Sequence, residues 1–411
     1  MSLNQTPQSN RIHIAFFGQT NAGKSSLINA VTQQDIALVS DVSGTTTDPV
    51  YKAMELLPLG PVMLIDTAGL NDTTQLGALR KQKTLEVLNK TDLAVLVMDS
   101  LQKNHAFEIE LIKTIQDKKV PLIGVINKSD LNTLDVHQLE SLSKEMGISI
   151  YPVSSVTKEG VKELKIAMSL ALPSDEDQFK IVGDLIQPGD FVVLVTPIDK
   201  AAPKGRLILP QQQTIRDILE SDAIAIVCKE HELRETLDRL GTKPKLVITD
   251  SQAFLKVAAD TPKDILMTSF SILFARHKGD LLQLVKGAKA IEALKDGDKV
   301  LISEGCTHHR QSDDIGTVKI PRWLKQLTGK QLHFDHVSGV SFTDSAKDYA
   351  LIIHCGACML NKKAMAYRLE TVESLQVPIV NYGVMIAYVH GILDRALEPF
   401  PLAKMIWDEV N

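Results

Sequence analysis

The stretch Ile12-His-Ile-Ala-Phe-Phe17-Gly18-Gln-Thr-Asn-Ala-Gly23-Lys24-Ser25 decides the first part of the fold. An apolar run of strand length enters G-x-x-x-x-G-K-S, and Ser25–Thr32 continues as a helix. That strand–loop–helix context is what gives the motif meaning. Gly18 and Gly23 permit the backbone conformations that turn amide N–H groups toward phosphates, and the helix start presents its positive end to them. Lys24 is then expected to reach the β- and γ-phosphates. Ser25 is expected on Mg²⁺, with Ser26 beside it in the first helical turn.

Further along, the matching elements arrive in the order a nucleotide fold requires. Asp66-Thr-Ala-Gly69 follows the short strand Met63–Ile65, so Asp66 is expected to hold Mg²⁺ through water and Gly69 to donate its N–H to the γ-phosphate. Asn127-Lys128-Ser-Asp130 follows Leu122–Ile126. There the Asp130 carboxylate accepts from guanine N1–H and N2–H₂. Adenine lacks that pattern and would leave the carboxylate unpaired, which disfavours it by orders of magnitude. Ser154 and Ser155, after Ser149–Val153, fit a loop closing over the base. The expected ligands are GTP and GDP with Mg²⁺.

On these motifs the first domain resembles the translation-factor-like GTPases of the tRNA-modification and Era type. Their first switch reads Gly-Thr-Thr-Arg-Asp; here Gly44-Thr-Thr-Thr-Asp48 departs at Thr47. The resemblance implies that Thr46 completes Mg²⁺ coordination. It also matches Asn21 to the residue with which potassium-activated members bind K⁺, the alternative being an Asn that only shapes the loop. Leu70 stands where Ras-like enzymes keep a water-orienting glutamine, and a Leu cannot hydrogen-bond the attacking water. Unaided turnover is therefore expected to be slow, roughly 10⁻⁴–10⁻² s⁻¹.

Outward from this domain, 411 residues exceed a single core at the prior of roughly 150 residues per domain. Apolar residues are 44% and charged residues 23%, the composition of an ordinary folded chain. The net charge of −5 supplies no basic footprint for nucleic acid, so no nucleic-acid partner is expected. Residues 1–10 are polar without a basic start, and the longest apolar stretch, Val377–Leu393, is broken by Pro378, Asn381 and His390. A cytoplasmic chain with neither secretory signal nor membrane span is the expectation.

Strand-like and helix-like runs alternate to the end, which predicts an α/β protein of three doubly wound-type units. The expected domains are a P-loop GTPase over 1–172, a middle α/β domain over 178–266, and a third over 267–411. The polar acidic run Pro173-Ser-Asp-Glu-Asp177 reads as the first linker. Strands are expected at Phe191–Thr196, Ala223–Val227, Lys245–Ile248, Ile265–Met267, Lys299–Ile302, Gln331–Phe334 and Ala350–Ile353.

Cys306-Thr-His308 and His354-Cys355-Gly-Ala-Cys358 each follow one of these strands, and ligands in open α/β sheets gather beyond strand carboxyl ends. Three of the four cysteines fall in this constellation; Cys228 ends an apolar strand and reads as an inert core thiol. Spacing leaves two metals open. Zinc on three Cys and one His would be structural and closed. An iron–sulfur cluster on three thiolates would leave one iron with an exchangeable position. His309, His333, His336, Glu304 and the pair Asp313-Asp314 are nearby side chains with weaker claims to such a site.

A potassium-type GTPase domain, a middle α/β unit and a terminal C-x-H-x₄₅-H-C-x-x-C together resemble the [FeFe]-hydrogenase maturation GTPase (HydF) family, over essentially the whole chain. The resemblance implies a [4Fe–4S] cluster on Cys306, Cys355 and Cys358. His308 and His354 would be candidates for the fourth iron position or would orient a thiolate. It implies a middle dimerisation module, hence a homodimer. It also implies a scaffold or chaperone role: holding a transient two-iron precursor, receiving parts from the radical-SAM maturases HydE and HydG, and delivering to the apo-[FeFe]-hydrogenase. The rival readings are a zinc-bearing GTPase in RNA modification or ribosome assembly, and a cluster-dependent redox-sensing GTPase.

Overall fold

Along β1 (Ile12–Phe17) the side chains alternate between two cores: Ile14 and Phe16 enter one, Ala15 and Phe17 the other. A strand buried on both faces is mostly apolar, and apart from His13 β1 reads as a hydrophobic run. In the computed structural model, residues 6–33, 48–67, 83–172, 180–198, 207–305, 314–339 and 346–409 are described. The chain divides into two units, Met1–Ser174 and Asp175–Asn411.

The first unit is a six-stranded sheet in the order β2-β3-β1-β4-β5-β6. Its further strands are β2 (Val50–Leu56), β3 (Gly60–Asp66), β4 (Leu93–Asp99), β5 (Leu122–Asn127) and β6 (Ile150–Pro152). β1 pairs in parallel with β3 and β4, and β2 runs antiparallel to β3. Helices α1 (Lys24–Thr32) and α4 (Val161–Ala171) cover one face, burying Leu27, Val31, Leu164 and Met168. Helices α2 (Ala106–Asp117) and α3 (Val136–Met146) cover the other through Leu111, Ile115 and Met146. The chain crosses from one side of β1 to the other between β3 and β4, so the topological switch point lies at the carboxyl end of β1. Such crevices are where these sheets bind ligands.

The second unit carries two four-stranded parallel sheets. One is ordered β10-β9-β7-β8, from β7 (Phe191–Val195), β8 (Ile224–Cys228), β9 (Leu246–Thr249) and β10 (Leu266–Ser269). The other is ordered β12-β11-β13-β14, from β11 (Lys299–Glu304), β12 (His333–Ser338), β13 (Leu351–His354) and β14 (Ile379–Asn381). The two sheets share one apolar core. Into it α8 (Phe270–Lys278) buries Phe270, Ile272 and Leu273, and α11 (Lys362–Ser374) buries Met365, Leu369 and Val372. The unit also holds α5 (Leu209–Glu220), α6 (Leu233–Leu240), α7 (Phe254–Asp260), α9 (Leu281–Lys289) and α10 (Ile320–Thr328).

Every expected strand is present, most with ends displaced by a residue or two; β3 starts three residues earlier than expected and β12 ends four residues later. Two strands go beyond the sequence reading. β2 lies at a sheet edge with most residues exposed, so it leaves no apolar run. β14 is three residues long and sits inside the broken apolar stretch. The acidic linker Pro173–Asp177 lies outside the described residues. Among the described residues no helix is long and apolar enough to cross a membrane.

Candidate functional site

At the carboxyl end of β1 the chain turns through Gly18 (φ 147°), Asn21 (φ 65°) and Gly23 (φ 87°) before α1 begins at Lys24. A Cβ at Gly18 would lie 2.2 Å from the Val97 carbonyl oxygen, and one at Gly23 2.2 Å from Nδ2 of Asn127. Both positions are thus closed to side chains by backbone angle and by space. Lys24 is buried within this turn, its Nζ donating to the carbonyls of Gly18 (3.0 Å) and Gln19 (2.9 Å). Burial lowers its pKa to about 8, opposed by the charge of Asp66. Ser25 Oγ donates to Oδ2 of Asp66 at 2.6 Å, joining the start of α1 to the end of β3. Burial raises the Asp66 carboxyl, with the Ser25 hydrogen bond and Lys24 acting against it. Ser26 stands in the same first turn of α1.

The base-side residues gather at the ends of β5 and β6. Asn127 is buried and bridges two loops. Its Nδ2 donates to the Ala22 carbonyl (3.1 Å), and its Oδ1 accepts from the N–H (3.2 Å) and hydroxyl (2.8 Å) of Ser155. Lys128 pairs with Asp99 at 2.6 Å. Ser154 Oγ donates to Oδ1 of Asp130 at 2.5 Å and accepts the N–H of Thr157. Phosphate loop, Asp66, the 127–130 segment and Ser154-Ser155 therefore share one rim of the sheet. Thr46, Gly69 and Leu70 lie outside the described residues.

Sequence reasoning missed one contributor here. Glu108 on α2 is fully buried and accepts from Nε2 of Gln19 (2.9 Å) and of Gln102 (3.1 Å), bracing the phosphate loop from behind. Nothing in its exposed-looking helical context separates it from an ordinary surface glutamate.

In the second unit the ends of β11 and β13 approach each other. The N–H of Cys355 donates to the Ser303 carbonyl (2.9 Å), and the N–H of Gly305 donates to Sγ of Cys355 (3.1 Å). Gly305 immediately precedes Cys306, which with His308, His309 and Asp313 lies outside the described residues. Burial pushes the Cys355 thiol up, and the N–H groups of Gly305 and Ala357 work against that. Ala357 adopts φ 53° between the two cysteines of the turn. Among the described residues no three His, Cys, Asp or Glu side chains form a metal-holding group.

His354 is fully buried with both ring nitrogens engaged. Nδ1 lies 2.7 Å from the Cys355 carbonyl and so carries the proton, and Nε2 accepts from Nη1 of Arg368 at 2.8 Å. Burial first, then the Arg368 charge, lower its pKa to about 3, so the ring is neutral. In this arrangement the ring is fixed between the Cys355 carbonyl and the Arg368 guanidinium. Arg368 also donates to the Gly339 carbonyl (2.6 Å), tying the ends of β12 and β13 together. Lys278 donates from below to the carbonyls of Ala357, Cys358 and Leu360. Sequence reasoning missed both cations, although Arg368 left a trace: Met365, Arg368, Leu369 and Val372 follow the i, i+3, i+4, i+7 spacing of a buried face.

The weaker candidates are accounted for. Glu304 accepts from the Tyr382 hydroxyl (3.2 Å), and Asp314 caps a helical turn through the N–H and hydroxyl of Thr317. His333 and His336 sit on β12, the latter 3.4 Å from the Gly316 carbonyl. Cys228 ends β8 as a buried free thiol, raised by that burial.

Comparison with known proteins gives three family matches. Residues 13–128 match the family described as 50S ribosome-binding GTPase, 181–279 the hydrogen maturase F dimerization domain, and 282–399 the hydrogen maturase F tetramerization domain. The tRNA modification GTPase MnmE of Desulfotalea psychrophila is 28% identical over 246 residues, 58% of this chain and 49% of that protein. That of Chromobacterium violaceum is 36% identical over 155 residues, 38% of this chain and 33% of its own length. The alignments thus span half or less of these relatives. Among solved structures, Aquifex aeolicus Era bound to GDP and aluminium fluoride is 19% identical with a TM-score of 0.37, covering 56% of this chain and 98% of that one.

Proposed function

The chain belongs to the hydrogen maturase F family, and on that premise we propose that it is a GTP-hydrolysing scaffold in assembly of the [FeFe]-hydrogenase active site. The observation that carries the scaffold half is the Gly305 amide on Sγ of Cys355. It supports a reading in which thiolates from two distant loops meet, because Cys306 is the next residue. The surroundings fit an iron–sulfur group: soft thiolate donors, a backbone N–H aimed at sulfur, and buried cations beneath. Cys306, Cys355 and Cys358 would hold a [4Fe–4S] cluster, with His308 the candidate at the remaining iron and His354 orienting the turn. When bound, the cluster supplies an iron with an exchangeable position, where a two-iron precursor can be held as cargo.

In the GTPase domain Lys24 neutralises charge on the β- and γ-phosphates, Ser25, Thr46 and Asp66 hold Mg²⁺, and Gly69 binds the γ-phosphate. Asn127, Lys128 and Asp130 select guanine under Ser154-Ser155. Asn21 recruits K⁺ and thereby offsets the lack of a water-positioning group at Leu70. Nucleotide state biases docking to HydE, HydG or the apo-hydrogenase, by as much as GTP and GDP differ in affinity for the two states. We assign dimerisation to 178–266, cluster binding to 267–411, and the cytoplasm as the working compartment.

Anaerobic purification followed by iron, sulfide and zinc analysis tests this. Iron and sulfide near a cubane's stoichiometry are expected. Stoichiometric zinc without inorganic sulfide would reject the scaffold and leave only a guanine-nucleotide switch.

A further inference from the structure

Lys278, the last residue of α8, is 3% exposed, yet its Nζ faces three carbonyl oxygens: Ala357 at 3.3 Å, Cys358 at 3.1 Å and Leu360 at 3.0 Å. A neutral amine has two N–H bonds to give; an ammonium has three. Three acceptors around one nitrogen therefore describe a charged lysine. Among the described residues it has no carboxylate partner, and burying a charge without an anion is costly. Burial pushes its pKa down to about 8, and the Cys358 and Cys355 sulfurs act against that.

On the other side of the same turn Arg368, also 3% exposed, donates to the ring of His354 and to the Gly339 carbonyl. Two basic side chains thus reach one pair of cysteines. Zinc on three thiolates and a neutral histidine carries the same single net negative charge as an oxidised iron–sulfur cube on three thiolates, so such cations suit either. What separates the two is reduction: the iron–sulfur cube becomes more negative and gives the cations a state to stabilise, and zinc has no such state.

We propose that Lys278, seconded by Arg368, is a charge-compensating positioning residue that makes the Cys355-x-x-Cys358 turn selective for an anionic metal assembly. The inference rests on the iron–sulfur reading above. It assigns the lysine two effects, both electrostatic. It holds the turn in its ligating shape, and it stabilises the more negative, reduced state of whatever the thiolates hold.

The test uses the full chain, reconstituted anaerobically with iron and sulfide. Lys278→Gln keeps hydrogen-bond donors and loses the charge; Lys278→Met loses both; Lys278→Arg keeps the charge with altered geometry. Melting of the metal-free proteins reports folding. Iron content, chelator-driven iron release and the midpoint potential by electron paramagnetic resonance report the cluster. Both neutral variants should show a lower potential than wild type and release iron about tenfold faster, while Lys278→Arg keeps the wild-type potential. A Lys278→Gln protein with wild-type potential and release overturns the proposal, since hydrogen bonding alone would then suffice. Should the neutral variants fail to fold, a lowered potential in Lys278→Arg overturns it equally. Wild-type protein that takes up no iron and sulfide sinks the cluster reading itself, a separate and recognisable outcome.

Discussion

Ser25 Oγ donates a 2.6 Å hydrogen bond to Oδ2 of Asp66, so the two proposed Mg²⁺ residues already face each other, one at the start of α1 and one at the end of β3. Asp66 is held up by burial, which makes the metal's charge valuable to it. Ser25→Ala removes one oxygen from that pair. Hydrolysis should fall by roughly a hundredfold or more, and the Mg²⁺ dependence of fluorescent GDP binding should flatten. Unchanged Mg²⁺ dependence would remove Ser25 from the metal site.

Asp130, the carboxylate proposed to read guanine, accepts from the Ser154 hydroxyl at 2.5 Å. Asp130→Asn exchanges one acceptor oxygen for an N–H₂ donor. The variant loses charged hydrogen bonds to the guanine edge, about 1.5–3 kcal/mol, so GTP should bind roughly ten- to a hundredfold more weakly. Xanthine carries an oxygen where guanine has its amino group, and XTP should gain affinity in the same protein. Competition binding with both nucleotides checks the pair of shifts together; loss of both would indicate a misfolded loop instead.

How much of this is written locally differs between the two sites. The nucleotide residues sit within a few positions of strand ends, so a strand followed by G-x-x-x-x-G-K-S or Asn-Lys-x-Asp carries its own geometry. The cysteine turn is equally local, and Gly305 beside Cys355 follows from parallel pairing of β11 with β13. Lys278 and Arg368 are different in kind. Lys278 reaches the turn from a helix 80 residues before Cys358, Arg368 from the helix that follows the turn, and a charged residue on an apolar helix face reads as a surface residue until its acceptors are known. Glu108 behind Gln19 escapes for the same reason. Edge strand β2 escapes for the opposite one: exposure erases the hydrophobic run that marks its neighbours.

His13 on β1 gives the GTPase unit a pH limit. Its ring is buried with Nδ1 2.8 Å from the Arg11 carbonyl, and burial lowers its pKa from 6.5 to about 4. The unfolded chain therefore takes up a proton between pH 6.5 and 4 that the folded chain refuses. Stability from this group is complete above pH 6.5 and is lost as pH falls toward 4, about 2 kcal/mol of it by pH 5. His13→Gln has no ring to protonate. Denaturant melts at pH 7 and pH 5 should show wild type losing about 2 kcal/mol more than the variant; equal losses would mean that His13 titrates normally.

β8 stands at the open edge of its sheet, and its residues Ile224 and Val227 are 42% and 45% exposed. An edge strand with apolar side chains and unpaired backbone groups invites another chain, which soluble proteins ordinarily prevent with a charge. None of Ile224–Cys228 is charged. The strand falls within the segment matching the hydrogen maturase F dimerization domain, which makes it the surface we assign to the homodimer. Val227→Lys adds the missing charge at an exposed position and leaves the β7 side of the strand untouched. Sedimentation should show dimer giving way to monomer, with the dimer dissociation constant raised at least about tenfold. GTP hydrolysis by the first unit, measured on the same sample, controls for folding. A Val227→Lys protein that remains dimeric at low micromolar concentration would move the interface off this edge, and the search would then pass to the 282–399 segment.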